Sequence, residues 1–258
     1  MEYLIVGSVA LFTSLLTFFS GFGVGTILTP AFILFFPIDV AIAMTAIVHF
    51  LNNLFKLGLT YKDISRTVLL RFGLPAIPFA FLGAWLLLSF SGHNRTILQF
   101  NLFGKPCEMK LIELIVGTLM FFFAIAELFP SFKNSTIKHK QLFLGGSISG
   151  FFGGLTGHQG ALRTMFLLKS GLSKEQFIAT GIAIACLVDI SRLTIYAKRI
   201  QSTDIQSAAG MITVAVLCAF TGAYFGKKLL NKVTIHAIQY IVSGLIVLVS
   251  GLLILGWI

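Results

Sequence analysis

Charge is what this sequence has least of. Only 11% of its 258 residues are charged and 57% are hydrophobic, with a mean hydropathy of +0.95, whereas a soluble domain carries about 25% charged residues. So few ionic groups cannot cover a water-facing surface, and the chain reads as an integral membrane protein. Cysteine is scarce too: Cys107, Cys186 and Cys218 are odd in number and lack metal-ligand spacing, which argues against a disulfide framework or a zinc site. The N-terminus has no basic n-region, Glu2 being its one charge, so it reads as a first membrane segment rather than a cleaved signal. Nucleotide loops are missing as well. "GFGVGT" lacks the GxGxxG spacing and follows no strand pattern, so no cofactor is expected.

What is there is apolar helix. A bilayer core of about 30 Å needs about 20 helical residues per crossing, so the length holds about eight segments and no soluble domain. Apolar runs fall near 4–36 (interrupted), 38–60, 67–90, 109–130, 141–169 (interrupted), 174–197, 205–230 and 235–257. All are expected to be helical, because lipid offers backbone groups no water and the alternation of a barrel is absent. The excess of ten positive charges is spread over short loops, where anionic lipid headgroups are a better partner than nucleic acid. The expected fold class is therefore an all-α polytopic membrane protein of the inner (plasma) membrane.

The two halves resemble each other. "MTAIVHFLNNLFKLGLTY" (Met44 to Tyr61) aligns with "ATGIAIACLVDISRLTIY" (Ala179 to Tyr196), and "AFLGAW" (Ala80 to Trp85) recurs as "AFTGAY" (Ala219 to Tyr224). Two matches in the same order point to duplication. The division expected is a first repeat over 1–100, a linker and fourth segment over 101–140, and a second repeat over 141–258. Each half opens with a glycine-broken segment, "FFSGFGVGTILTP" (Phe18 to Pro30) and "GFFGGLTGHQGALR" (Gly150 to Arg163). Each crosses once as a kinked helix or enters and returns as a hairpin. Loop Lys and Arg arbitrate: eight plain crossings leave eight on either side, whereas two hairpins put eleven on one side and five on the other. The positive-inside rule favours the hairpins, with both termini outside and the repeats inverted.

Polar groups inside these segments are the candidate site. Half-helices beginning near Gly23, Gly25, Thr26 and Gly160 would aim free N–H groups and positive dipole ends inward, and glycine admits close approach. Beside the second break stand His158, Gln159 and Arg163. A charged residue at the centre of a spanning helix costs about 2.5–3.5 kcal/mol on insertion scales, which marks Arg163 as functional. The bland reading of the glycines is tight helix packing. His49, Asn52, Asn53 and Lys56 recur at i, i+3, i+4 and i+7, one helical face of donors that lines an anion path or bonds a neighbouring helix. Asp189 and Arg192 can pair within their helix as a structural ion pair or as a gating and coupling element. Glu127 is a further candidate for proton coupling.

A glycine break followed by proline ("GFGVGTILTP"), a second break opening the other half and some 250 residues of apolar helix resemble the TauE/SafE family of sulfite and organosulfonate exporters. "GHQGALR", "SGLSKEQFIATG" and "ACLVDISRLTIY" resemble one branch of it. The resemblance implies a secondary transporter, not an enzyme, that exports a small sulfur anion coupled to an ion gradient, with a proton as the candidate coupling ion. The sequence departs from the family's glycine run at His158 and Gln159, and has Met165 where Pro30 falls in the first half, which bears on substrate more than on fold. An anion channel is the alternative. A membrane-embedded protease is disfavoured, since "GGSISG" has Ser147 where the leading glycine of GxSG belongs. A homodimer is compatible with the sequence, which fixes no oligomeric state.

Overall fold

A computed structural model of the chain describes residues 1–20, 23–91, 95–102, 104–128, 139–200, 206–229 and 235–257. Helix α1 spans Glu2–Ser20 and α2 Gly25–Ile33; α3 spans Ile38–Thr60. Pro37 immediately precedes α3, and Asp39 occupies its first turn, where a carboxylate complements the helix dipole. Helix α4 begins at Arg66–Val68, passes through a π-helical turn at Leu69–Gly73 and continues as Leu74–Ser91. Pro75 explains the wide turn: it has no N–H for the Arg71 carbonyl, and its ring presses on that carbonyl. The second half follows as α5 (Leu111–Leu128), α6 (His139–Thr156), α7 (Gly160–Leu167), α8 (Lys174–Ile200), α9 (Ala209–Leu229) and α10 (Ile235–Ile254).

One element departs from the all-helical expectation. The connection from Ser91 to Lys110 contains an antiparallel hairpin of β1 (Thr96–Leu102) and β2 (Lys105–Lys110), docked on the end of the chain through the Glu108 N–H, which donates to the Gly256 carbonyl. β1 straddles residue 100, the expected end of the first repeat. The two limbs of each interrupted segment are unequal. Helices α1 and α6 have 19 and 18 residues, close to the bilayer core at about 1.5 Å per residue, whereas α2 and α7 have only nine and eight.

Among the described residues four helices are long and apolar enough to cross a membrane, α3, α4, α8 and α9, and shorter apolar helices lie within α1, α5 and α10. The outer surface fits that reading: Phe12, Trp85, Phe122, Phe143 and Leu217 are exposed, as lipid-facing residues of a multi-pass membrane protein are.

Glycine decides how the helices pack. A Cβ added to Gly146, Gly150 or Gly154 of α6 would collide with the Phe72, Ala76 or Ala80 carbonyl of α4. The rising numbers on both sides mean that α4 and α6 run parallel, backbone against backbone, as four-residue spacing of small residues permits. On the other flank a Cβ at Gly222 would strike the Leu11 carbonyl, and one at Gly226 would lie 3.0 Å from the Leu15 carbonyl. Helices α1 and α9 are therefore parallel too. Two further pairs are antiparallel. His49 of α3 meets Asp189 of α8 while Ser65, just beyond α3, bonds Thr180, and in α5 and α10 Gly117 faces Ser250 while Glu108, preceding α5, meets Gly256.

Candidate functional site

The pairing of α3 with α8 creates the site, because each brings polar residues that the other must satisfy. Asp189 and Arg192 are fully buried, and His49 is 1% exposed. An ionised carboxylate in such a place survives only if paired and hydrogen-bonded. Both Asp189 oxygens are accordingly in use. His49 Nδ1 donates to Oδ2 at 2.7 Å and Asn53 Nδ2 to the same oxygen at 3.3 Å. Arg192 Nε donates to Oδ1 at 3.0 Å, with Nη2 at 2.8 Å, and Gln159 Nε2 donates to it at 3.5 Å. Three elements, α3, α8 and the turn before α7, thus close on one carboxylate and form a buried ionic layer.

The two glycine breaks flank this layer. A Cβ built on Gly25 would lie 3.8 Å from the Gly157 carbonyl, and one on Gly157 would lie 3.9 Å from Thr29 Oγ1. Gly23 packs against the Nε2 edge of the His49 imidazole, where an added Cβ would overlap Nε2. Gly157 is constrained twice: its φ is +81°, and an added Cβ would come within 2.9 Å of Arg192 Nη1. Only glycine meets both demands without cost.

Beside the ionic layer lies a cavity of about 20 Å³ lined by Thr17, Asn53, Lys56, Arg163 and Gly181 at its polar wall and by Phe18, Leu167, Phe177, Ile178 and Ile182 elsewhere. That volume holds one water and no sulfur oxyanion. Lys56 and Arg163 are 2% and 4% exposed, and among the described residues no acidic side chain lines the cavity. Lys56 is steered by Asn52. With the Asn52 amide nitrogen donating to the Ala219 carbonyl (3.1 Å), as hydrogen-bond accounting requires, its oxygen accepts from Lys56 Nζ at 3.3 Å. Lys56 Nζ also lies 5.5 Å from the Phe18 ring centroid, within cation–π range.

The predicted residues therefore divide. Asn53, Lys56 and Arg163 meet at the cavity; His49, Gln159, Asp189 and Arg192 form the adjoining layer; Asn52 supports Lys56 and reaches Ser14 of α1 at 3.0 Å. Thr26 turns back to the Gly23 carbonyl at 3.0 Å, and His158 bonds the Thr156 carbonyl through Nδ1 at 3.1 Å. Gly160 is buried at the first position of α7. Glu127 is in the last turn of α5, and its side chain lies outside the described residues. Gly154, grouped with the break in the sequence, is a packing residue against α4. Two lining residues escape a reading of the sequence. Thr17 of α1 has a buried hydroxyl without a hydrogen-bond partner among the described residues, and Gly181 of α8 would place a Cβ 3.5 Å from Arg163 Nε. Three further buried atoms, His158 Nε2, Gln159 Oε1 and Arg192 Nη1, also have no such partner. Buried polar atoms seldom stay unbonded, and here they gather around the breaks.

A family model described as sulfite exporter TauE/SafE matches residues 6–253. A search of curated proteins finds no match.

Proposed function

Since the chain belongs to the sulfite exporter TauE/SafE family, whose members are membrane transporters of sulfur compounds, we propose that it is a secondary carrier exporting a small sulfur oxyanion or sulfonate through the cavity at Asn53, Lys56 and Arg163. One observation carries the reading: two buried cations share a cavity that, among the described residues, no acidic side chain lines. Basic side chains gathered at one buried cavity offer an entering anion charge-assisted donors. The glycine breaks add backbone donors and the N-terminal dipole of α7, and Arg192 Nη1, a donor without a hydrogen-bond partner among the described residues, lies near the same turn. A cavity that admits one water favours alternating access over an open channel.

The helix directions support two hairpins and inverted repeats. If every segment crossed once, the second and sixth would point the same way, as would the fourth and eighth. Helices α3 and α8 are antiparallel, as are α5 and α10, which fits an interrupted segment α6–α7 that returns to its own side. The parallel course of α1 and α9 then fits the same behaviour for α1–α2. In this topology both termini face the periplasm across the inner membrane, and the repeats divide near 1–100 and 141–258 with a linker and fourth segment between. Accessibility tags at the two ends of the chain should both report the periplasmic side. A cytoplasmic signal from either end rejects the topology.

Reconstituted protein should show saturable sulfite counterflow, accelerated by anion on the opposite face, and a proton as coupling ion predicts accumulation driven by an imposed pH gradient. Flux that rises linearly with sulfite and shows no counterflow would turn the reading into a channel.

A further inference from the structure

The seam between α4 and α6 carries a second concavity on its outer side. An open groove of about 620 Å³ follows α4 from Leu70 to Phe79, with Phe143 of α6 as its far wall. Small-molecule sites span about 300–1,000 Å³, so the groove is large enough to hold a ligand. The sequence accounts for its shape. Arg71, Leu74 and Pro78 follow one another at three- and four-residue spacing, one row on the helix face, and proline puts only a ring where a longer side chain would fill the furrow. Gly146 lets the α6 backbone settle against α4, since an added Cβ would collide with the Phe72 carbonyl and stand 3.0 Å from Pro75 Cγ. The larger side chains are left standing as walls: Leu70, Leu74, Phe79 and Phe143 are all exposed. Among the described residues Arg71 is the one charged group on the lining.

We infer that this groove binds one anionic phospholipid, its phosphate held by Arg71 and one acyl chain laid along Leu74, Pro78 and Phe79 against Phe143. Depth supports it. The candidate span Arg66–Phe90 has 25 residues, about 37 Å at 1.5 Å per residue, against an apolar bilayer core of about 30 Å. Arg71 therefore lies close to one edge of that core, and helical side chains tilt toward the N-terminus, which carries its guanidinium toward the headgroups. Length agrees as well. From Arg71 to Phe79 the helix rises about 12 Å, and one leaflet supplies about 15 Å of hydrocarbon, so the furrow matches most of one lipid chain. Charge selects the headgroup. Arginine meets phosphate through paired N–H donors, and with five donors it can do so while keeping a contact within the protein. A zwitterionic lipid brings the same phosphate with a cation of its own, which offsets the attraction, whereas an anionic lipid does not. The site is separate from the polar cavity and stands independently of the carrier reading. Because α6 ends at Thr156, directly before the second glycine break, a lipid on this seam braces the helix that carries the break.

The test is lipid titration of the full-length protein, stripped of lipid in detergent, read by native mass spectrometry and by thermal shift. Phosphatidylglycerol should appear as a single retained adduct and raise the Tm, with an affinity at least about tenfold above that of phosphatidylcholine, the worth of one charge-assisted hydrogen bond. Arg71→Gln should bring the two lipids to similar affinity. Leu74→Trp, at an exposed position, fills the furrow and should weaken both, and it decides the matter if the Gln variant does not fold. Inorganic phosphate and glycerol phosphate should leave the Tm unchanged, because neither brings an acyl chain. Equal affinity for the two lipids in the unmodified protein overturns the inference, as does lipid binding that Leu74→Trp leaves intact. A Tm rise with phosphate alone would make Arg71 an ion contact only, and a dimer in place of the lipid adduct would assign the groove to a second copy of the chain; either result overturns the lipid site.

Discussion

Asp189→Asn is expected to cost about 3–5 kcal/mol of folding stability, the usual range when one partner of a buried ion pair is removed. Arg192 is wholly buried and has Asp189 within 2.8 Å; an amide keeps the shape of the carboxylate but leaves the guanidinium charge unmatched and offers His49 and Asn53 one acceptor fewer. The variant should appear as little or no monodisperse protein on size-exclusion chromatography, with a sharply lowered Tm. The double variant Asp189→Asn with Arg192→Gln should regain much of the lost Tm, because the guanidinium that Asp189 balances is gone with it. A single variant that purifies with the parental Tm would show that the ionic layer does not hold α3 to α8.

Arg163→Gln tests the other side of the cluster. Glutamine preserves hydrogen bonding and much of the reach but removes the charge, so anion binding should weaken by about 1.5–3 kcal/mol, the value of a charge-assisted hydrogen bond. That is at least about tenfold in Kd, to be read from sulfite titrations of folded protein and from the concentration dependence of counterflow. The fold should survive, because Asp189 keeps its bonds from His49, Asn53, Gln159 and Arg192. Unchanged affinity in a normally folded variant would make Arg163 structural and move the site toward Lys56 and Arg192.

These residues are legible in the chain for different reasons. Arg163 and the pair Asp189 and Arg192 stand out because ionic groups are rare in apolar helices, and the donor face from His49 to Lys56 follows from helical spacing alone. Helix α3 itself is readable residue for residue, with Pro37 before it and polar residues after it. Thr17 and Gly181 are not. A threonine in α1 becomes a lining residue only once α1, α3, α7 and α8 have met, and no local pattern encodes that meeting. Gly146, Gly150 and Gly154 show the same boundary: their four-residue period is visible in the chain, but not that Ala76 and Ala80 of α4 would fill the groove. The strands from Thr96 to Lys110 stay hidden because a polar connection between halves looks like a linker, although Gly104, with φ +79°, marks their turn.

The glycine seams also impose an order on biosynthesis. Helix α1 is covered by α9, and α4 by α6, so both seams join segments from opposite halves of the chain. While the ribosome is still short of the second half, the Leu11 and Leu15 carbonyl ridge of α1 and the Ala76 and Ala80 ridge of α4 have no glycine groove to enter. The ridge of α4 is covered once α6 emerges, and α1, made before either, waits for α9. A chain that stops before α6 therefore leaves both backbone ridges without their glycine partners.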